Sequence, residues 1–405
     1  MKVLVLAGGS DQIALIQELK ERGHEVVLVD YFDNPPAKNY ANLHIVASTL
    51  DLKRVEQIAI EEKVNLVCTA CTDQALLTVA YVSEKLGLPC YLSYKTGLDV
   101  TNKSYMKRVL VSNNIPTSKY TIIDKDDESE IEGFSFPLVV KPVDCNSSKG
   151  VKRIENKEEF HKYSLEAINY SRSKTAIVEE FVKGREISAD FYIDHGVAKF
   201  LSATTSLKIA NRKSFTILCS DYPAVDSLEE EYLTQIAANI AKAFSLDNTP
   251  LLVQLIGNGD SMKVLEFSAR MGGGSKYRLI QVLSGVNIMS VYVDRILGED
   301  PTVSPHKQVE FCKMVYLYCL PGVFDHVEGL DELRVKGIVD EFFIYKTKGM
   351  EIHGSETSGD RPAGYLCTAM TKMELDEKIA MADKSIRVLS EEGDDIMIHG
   401  LLSNN

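Results

Sequence analysis

Residues 2–87 alternate two kinds of periodicity, and this restricts the architecture more than any other feature of the chain. Short apolar runs, KVLVLAG, EVVLVD and VNLVCTA, are separated by DQIALIQELKERG, LKRVEQIAIEEK and DQALLTVAYVSEKLG, in which apolar residues recur at helical spacing. Gly23 ends the first helical segment. Runs that are apolar at every position belong in a parallel sheet covered by helices on both faces. The order therefore predicts a doubly wound α/β sheet. In its first turn AGGSDQ meets a helix N-terminus, and Asp30 closes the second run. A dinucleotide would use such residues, but G-x-G-x-x-G is missing, and a tight strand-to-helix turn explains two glycines and one Asp equally well. An NAD-dependent oxidoreductase is the distant alternative.

With 405 residues, 45% of them apolar and 25% charged, the chain is long enough for two or three domains with their own cores. No stretch approaches the ~20 apolar residues that cross a bilayer, and MKVLVLAGGSDQ enters a strand rather than a secretion signal, so a cytoplasmic protein is expected. A net charge of -13 opposes attraction to nucleic acid or anionic membranes, and neither is expected as a partner. The eight cysteines have no framework spacing and read as reduced thiols. CTAC at 68–71 follows a buried-looking strand and reads as structural rather than as a redox dithiol.

The texture changes after residue 100. A helix holding Lys103 and Lys107 leads through an acidic connector to FPLVVKPVDCNSSKGVKRI, where an apolar run ends in Lys141 and a loop of small residues ends at Gly150. Such a hairpin can lay Ser147, Ser148 and backbone N–H groups against phosphate oxygens while a strand lysine neutralises their charge; a solvated hairpin is the plainer reading. In AIVEEFVKGREIS, Glu179 and Glu186 flank a turn at Gly184 and could hold the polar edges of a nucleotide, with the Val182 backbone between them. Further on, KVLEFSARMGGGSKYR puts Glu266, Ser268 and Arg270 on one face of a strand and Leu265, Phe267 and Ala269 on the other.

Taken in order, the helix lysine, the FPLVVKP lysine, the small-residue loop, the EEFVKGREIS hinge and the LEFSAR strand resemble the ATP-grasp superfamily over essentially the whole chain. The C-terminal GSETSGDRPAGYLCTAM stretch is similar to the L-amino acid ligase, biotin carboxylase and carbamoyl phosphate synthetase large-subunit branch. The resemblance implies a chain of α/β and α+β class: a Rossmann-like domain over 1–100, an ATP-grasp core over 101–300 and a C-terminal domain over 301–405 that completes the site. It implies that Lys103 and Lys141 contact ATP phosphates, that the 145–150 loop with Ser147 and Ser148 closes over them, and that Glu179 with the Val182 backbone takes the adenine edge and Glu186 the ribose. Glu266 would bind magnesium, or manganese in its place, beside Gln254 and Ser268, which stand where the family usually has a carboxylate and an Asn. Arg270 would stabilise an acyl phosphate and the tetrahedral intermediate after it.

Residues of this kind can join a carboxylate to an amine without a protein nucleophile, since ATP supplies the activating phosphoryl group and the protein supplies position and charge. Gly272, Gly273 and Gly274, directly after Arg270, read as a nest for a substrate carboxylate or acyl phosphate, and Met271 as core. Lys208, Arg212 and Lys213 are candidates for a γ-phosphate contact, a basic surface loop being the other reading; Lys276 and Arg278 read as solvated. A two-residue Asn258-Gly259 turn would oppose 254 to 263 and turn Gln254 away from Glu266. An odd-numbered loop centred on Asp260 instead sets 254 opposite 266, and that loop is predicted. The expected activity is ATP- and magnesium-dependent carboxylate–amine ligation releasing ADP, of dipeptide type in the first instance, on small substrates, with a homodimer compatible with the resemblance. The alternatives are a carbamoyl-phosphate-synthetase-like or other biosynthetic amide ligase, and an ATP-binding protein without ligase activity.

Overall fold

A computed structural model describes residues 1–145, 150–210 and 215–402. The N-terminal sheet is parallel, in the order Leu43–Val46, Glu25–Asp30, Lys2–Leu6, Leu66–Cys68. Helices Ser10–Glu21, Leu52–Glu61 and Asp73–Leu86 lie where the helical periodicity put them. Val3, Leu4, Val5 and Leu6 are all fully buried, as two-sided burial of a parallel strand requires. The edge strand Leu43–Val46 escapes the sequence reading because LHIV is short and half-exposed, without a continuous apolar run. Asp30 accepts the backbone N–H groups of Gly8 (2.6 Å) and Phe32 (2.8 Å), and a Cβ on Gly8 would stand 2.6 Å from Pro35. The AGG turn is thus explained by close packing, and the acid a ribose would need is already engaged.

A second sheet is antiparallel, in the order Tyr120–Ile123, Ala176–Glu180, Leu138–Pro142, Lys152–Ile154. Alternation divides it: Leu138, Val140, Ala176 and Val178 pack with Phe160 and Ile168 of helix Lys157–Tyr170, whereas Val139, Lys141 and Glu179 take the opposite face. The third sheet has eight strands, in the order Lys263–Ser268, Thr249–Gly257, Arg185–Asp194, Val197–Lys208, Ile217–Tyr222, Phe311–Tyr316, Ala363–Ala369, Glu341–Ile344. The segment after residue 300 therefore adds three strands to a sheet begun before it. On one face Ile187, Ala189, Phe191, Val253 and Leu255 pack against Ile236, Ile240 and Phe244 of helix Ser227–Phe244, whose N-terminus is held by a capping box between Asp226 and Glu229. The other face is a row of polar side chains, among them Ser188, Ser206, Gln254 and Glu266, and it looks into cavities. Among the described residues no helix is long and apolar enough to cross a membrane.

The hairpin that carries Glu266 differs from the expectation in an instructive way. Gln254 is indeed the direct partner of Glu266. Ile256, however, pairs with Lys263, which leaves 257–262 as an even-numbered loop containing the 3-10 turn Gly259–Ser261. The odd loop is not what sets the register. A β-bulge between Gln254 and Leu255 shifts it by one residue, so that Leu255 pairs with Val264 and Leu265 is the extra residue. For the same reason Leu265 leaves the core and lines a cavity, while Phe267 and Ala269 stay in the core as the alternation requires.

Candidate active site

Two cavities meet on the polar face of the large sheet. The smaller, about 130 Å³, lies between the second and third sheets and is lined by Val139, Lys141, Glu180, Val182, Glu186, Lys208 and Leu265. The larger, about 450 Å³, opens toward the N-terminal domain and is lined by Asp11, Asp73, Arg270, Gly272, Gly273, Gly274, Tyr316 and Arg361. Lys103, Ile217, Gln254 and Glu266 line both.

In the smaller cavity the lysines are placed by a buried anion. Glu179 lies 2.8 Å from the Lys141 ammonium and 3.2 Å from that of Lys107, and it accepts the Ser118 hydroxyl at 2.6 Å. Burial opposes its charge, but Lys107 and Lys141 outweigh burial and hold the carboxyl down at about 2. Burial pulls the Lys107 ammonium down to about 8 against the pull of Glu179. The expectation that Glu179 takes the adenine edge is thus corrected: its side chain is 3% exposed and engaged by two lysines and a hydroxyl. Glu186 and Lys208, expected at a ribose and a γ-phosphate, pair with each other at 2.7 Å, and Lys208 also donates to the Phe215 carbonyl. Ser147, Ser148, Arg212 and Lys213 lie outside the described residues.

At the junction, Lys103 is the first residue of helix Lys103–Ser112, whose N-terminus Asn102 caps by accepting the Ser104 and Tyr105 N–H groups. From there its ammonium stands 3.1 Å from Glu266 and donates to the Cys145 carbonyl at 2.9 Å. Burial works against the Glu266 charge, but Lys103 and Lys141 outweigh it and hold the carboxyl below its ordinary range. Ser268 follows on the same face, buried, at the wall of the larger cavity.

In the larger cavity the strand and glycine loop are already answered by anions of the N-terminal domain. Arg270 Nε donates to Asp73 Oδ1 at 2.8 Å, a second arm of the fork reaches Asp73 Oδ2, and Nη1 donates to the Met271 carbonyl at 2.6 Å. Arg270, expected at an acyl phosphate, is thus oriented by a pair with the first residue of helix Asp73–Leu86. Asp11 likewise accepts the N–H groups of Gly274 (3.0 Å) and Ser275 (2.9 Å), so part of the expected glycine nest is filled from within. Gly274 has φ +72°, and a Cβ there would stand 3.1 Å from the Tyr316 hydroxyl. Met271 is core, as expected. Lys276 and Arg278 are not solvated: Lys276 is buried against Ser188, Asp190 and Thr204, and Arg278 pairs with Glu341. Cys68 is buried, and burial raises the thiol pKa of both Cys68 and Cys71, consistent with a structural CTAC. The sequence reading gives no role to Asp11, Asp73, Tyr316 or Arg361. Lys107 alone had a local signal, since it lies four residues after Lys103 on one helix face.

Residues 134–277 match the ATP-grasp domain. An ATP-grasp domain therefore occupies that stretch of the chain. Formate-dependent phosphoribosylglycinamide formyltransferase of Ignicoccus hospitalis is 29% identical over 198 residues, 47% of this chain and 49% of the relative. Phosphoribosylamine–glycine ligase of Methanosphaera stadtmanae is 22% identical over 369 residues, 85% and 84% of the two chains. The chain spans about half the length of the first of these relatives and of others like it. Among solved structures, L-amino acid ligase from Bacillus licheniformis superposes with a TM-score of 0.81 at 20% identity, covering 96% of this chain and 98% of that one. The biotin carboxylase domain of Hydrogenobacter thermophilus 2-oxoglutarate carboxylase gives 0.77 at 16% identity, covering 96% and 90%.

Proposed function

We propose that the protein is an ATP- and magnesium-dependent carboxylate–amine ligase that works through an acyl phosphate and releases ADP, with L-amino acid (dipeptide-type) ligation as the leading subclass. The observation that carries this reading is the junction of the two cavities at Lys103, Gln254 and Glu266. A nucleotide in the smaller cavity would bring its terminal phosphate to the wall of the larger one, where a second molecule can receive it. In this reading the 101–300 core grips ATP, and the 1–100 and 301–405 segments complete the acceptor cavity. Lys141 and Lys103 neutralise phosphate charge, and the Val182 backbone takes the adenine edge. Glu186 and Lys208 exchange their mutual pair for ribose and phosphate. Arg270 spreads charge that develops on the acceptor.

The donor set suits magnesium. Glu266 and Gln254 are cross-strand partners and Ser268 lines the same wall, giving hard oxygen donors of which one is anionic. Among the described residues there is no group of three or more His, Cys, Asp or Glu that could hold a metal unaided. These side chains would hold magnesium together with ATP, and the bound ion would neutralise charge on the phosphoryl group in transfer.

The relatives include a phosphoribosylamine–glycine ligase and an L-amino acid ligase, both named for the joining that this reading ascribes to the chain. The test is ADP release from purified protein with magnesium-ATP and a panel of small carboxylates and amines, singly and in pairs. ADP that depends on one acid and one amine supports the proposal. Nucleotide binding without ADP release across the panel would leave a binding protein in its place.

A further inference from the structure

The cations of the larger cavity are matched by carboxylates with one exception. Lys103 has Glu266, Arg270 has Asp73, and Lys276 has Asp190. Arg361 has no carboxylate within ion-pair distance among the described residues, although it is 9% exposed. Its guanidinium lies 3.7 Å over the Tyr316 ring, Nε donates to the Tyr318 hydroxyl at 2.7 Å, and one terminal nitrogen donates to the Ile217 carbonyl at 2.9 Å. That leaves Nη1, which a Cβ on Gly274 would meet at 3.2 Å, at the cavity wall. A second group nearby is also unanswered. Ser206 is 5% exposed, lines the same cavity, and its hydroxyl has no hydrogen-bond partner among the described residues. It is the cross-strand partner of Ser220, whose side chain hydrogen-bonds Tyr316, the ring under Arg361.

A buried guanidinium without a counter-ion and a buried hydroxyl without a partner are both costly, and one anion would satisfy both. We infer that Arg361 and Ser206 bind an anionic group, a carboxylate or a phosphate, carried by the amine substrate. This inference rests on the ligase reading above. In that reading the terminal phosphate of ATP lies at the wall shared by the two cavities, at Lys103, Gln254 and Glu266, whereas Arg361 lines the larger cavity alone. The acid that becomes activated is not the source of the anion either. Its charge moves to the phosphoryl group of the acyl phosphate and leaves with phosphate when the amide forms, whereas a guanidinium held by stacking and two hydrogen bonds matches an anion that keeps its place through the reaction. The planar fork suits carboxylate and phosphate alike.

The experiment compares amines in three forms with magnesium-ATP and the best acid: the free amino acid, its neutral carboxamide and an amine phosphate monoester. Expected are a preference of about tenfold or more for one anionic form over the carboxamide, and an Arg361→Met protein whose KM for that amine rises about tenfold or more while KM for ATP stays put. Which anionic form wins separates carboxylate from phosphate. An equal rate with the carboxamide, or an unchanged amine KM in Arg361→Met, overturns the inference and leaves the ligase reading standing. If no pair releases ADP, the ligase reading fails, and thermal protection by inorganic phosphate decides the site on its own: protection of the wild type but not of Arg361→Met keeps an anion site, and equal protection removes it. Should Arg361→Met not fold, Ser206→Val carries the same comparisons, with a rise of several-fold expected and no rise counting against the site.

Discussion

The two cavities are built on different plans. The smaller cavity, the proposed nucleotide side, draws its charged groups from one contiguous stretch, Lys103 to Glu266, on a helix and on strands whose alternation fixes which way each side chain points. Its anchor, Glu179, touches two lysines directly. The larger cavity, the proposed acceptor side, is assembled from three distant stretches: Asp11 and Asp73 at helix starts beside the N-terminal sheet, Arg270 with the glycine loop, and Arg361 near the C-terminus. On the proposed function, nucleotide grip is a property of one segment, whereas acceptor choice depends on how three segments meet.

The sharpest way to break this contrast is at the residue both sides share. Glu266→Gln removes the one carboxylate at the junction, and ADP formation is expected to fall about a hundredfold or more. A fully active Glu266→Gln protein would remove the junction from the proposed chemistry. Next come the two sides separately. Arg270→Ala is expected to cost about a hundredfold in turnover with ATP affinity nearly intact, and Asp73→Asn to cost part of the same loss, because Asp73 aims the guanidinium. Calorimetry and steady-state rates on both single variants and the double would show it; independent, additive losses would mean that the pair does not act as a unit. Lys141→Ala is expected to do the reverse, weakening nucleotide binding by about tenfold while leaving the acceptor KM alone. Equal damage to both constants would erase the distinction between the sides.

A smaller effect should appear in acid. The Glu179 carboxyl is held at about 2, below its ordinary 4.5, so it contributes stability that is present at neutral pH and lost as pH falls from about 4.5 toward 2. Denaturant titrations of wild type and Glu179→Gln should therefore show a steeper acid decline in the wild type; parallel declines would deny the strong pairing. The smallest change expected is Gln254→Glu, which adds a second anion opposite Glu266 and should lower the magnesium concentration needed for half-maximal rate, with turnover little altered.

What the sequence made legible follows the same division. The parallel sheet, its helices and the ordered lysines and carboxylates of the middle segment could be read because each rests on a local period or a short motif. Glu179 was found as a residue but not in its role, since nothing local says that Lys107 and Lys141 converge on it from a helix and a strand. Asp73 and Asp11 were invisible because a carboxylate in the first turn of a helix has an ordinary local explanation in the helix dipole. Arg361 sits in SGDRPAG, where no periodicity indicates burial. The hairpin is a third case: pairing of 254 with 266 was foreseen, but an even loop and a bulge achieve it.

That bulge has a consequence for how the chain tolerates insertions and deletions. Register in a hairpin has a parity, and here the parity needed at Glu266 is restored two pairs in from the last paired residues, at Leu265. A residue gained or lost within 257–262 can be absorbed in the loop before the change reaches the ladder. Removing Leu265 is different in kind. It would abolish the bulge yet leave Gln254 opposite Glu266 in a straight ladder, so what is lost is the apolar side chain that the bulge turns into the smaller cavity and not the alignment of the two polar ones.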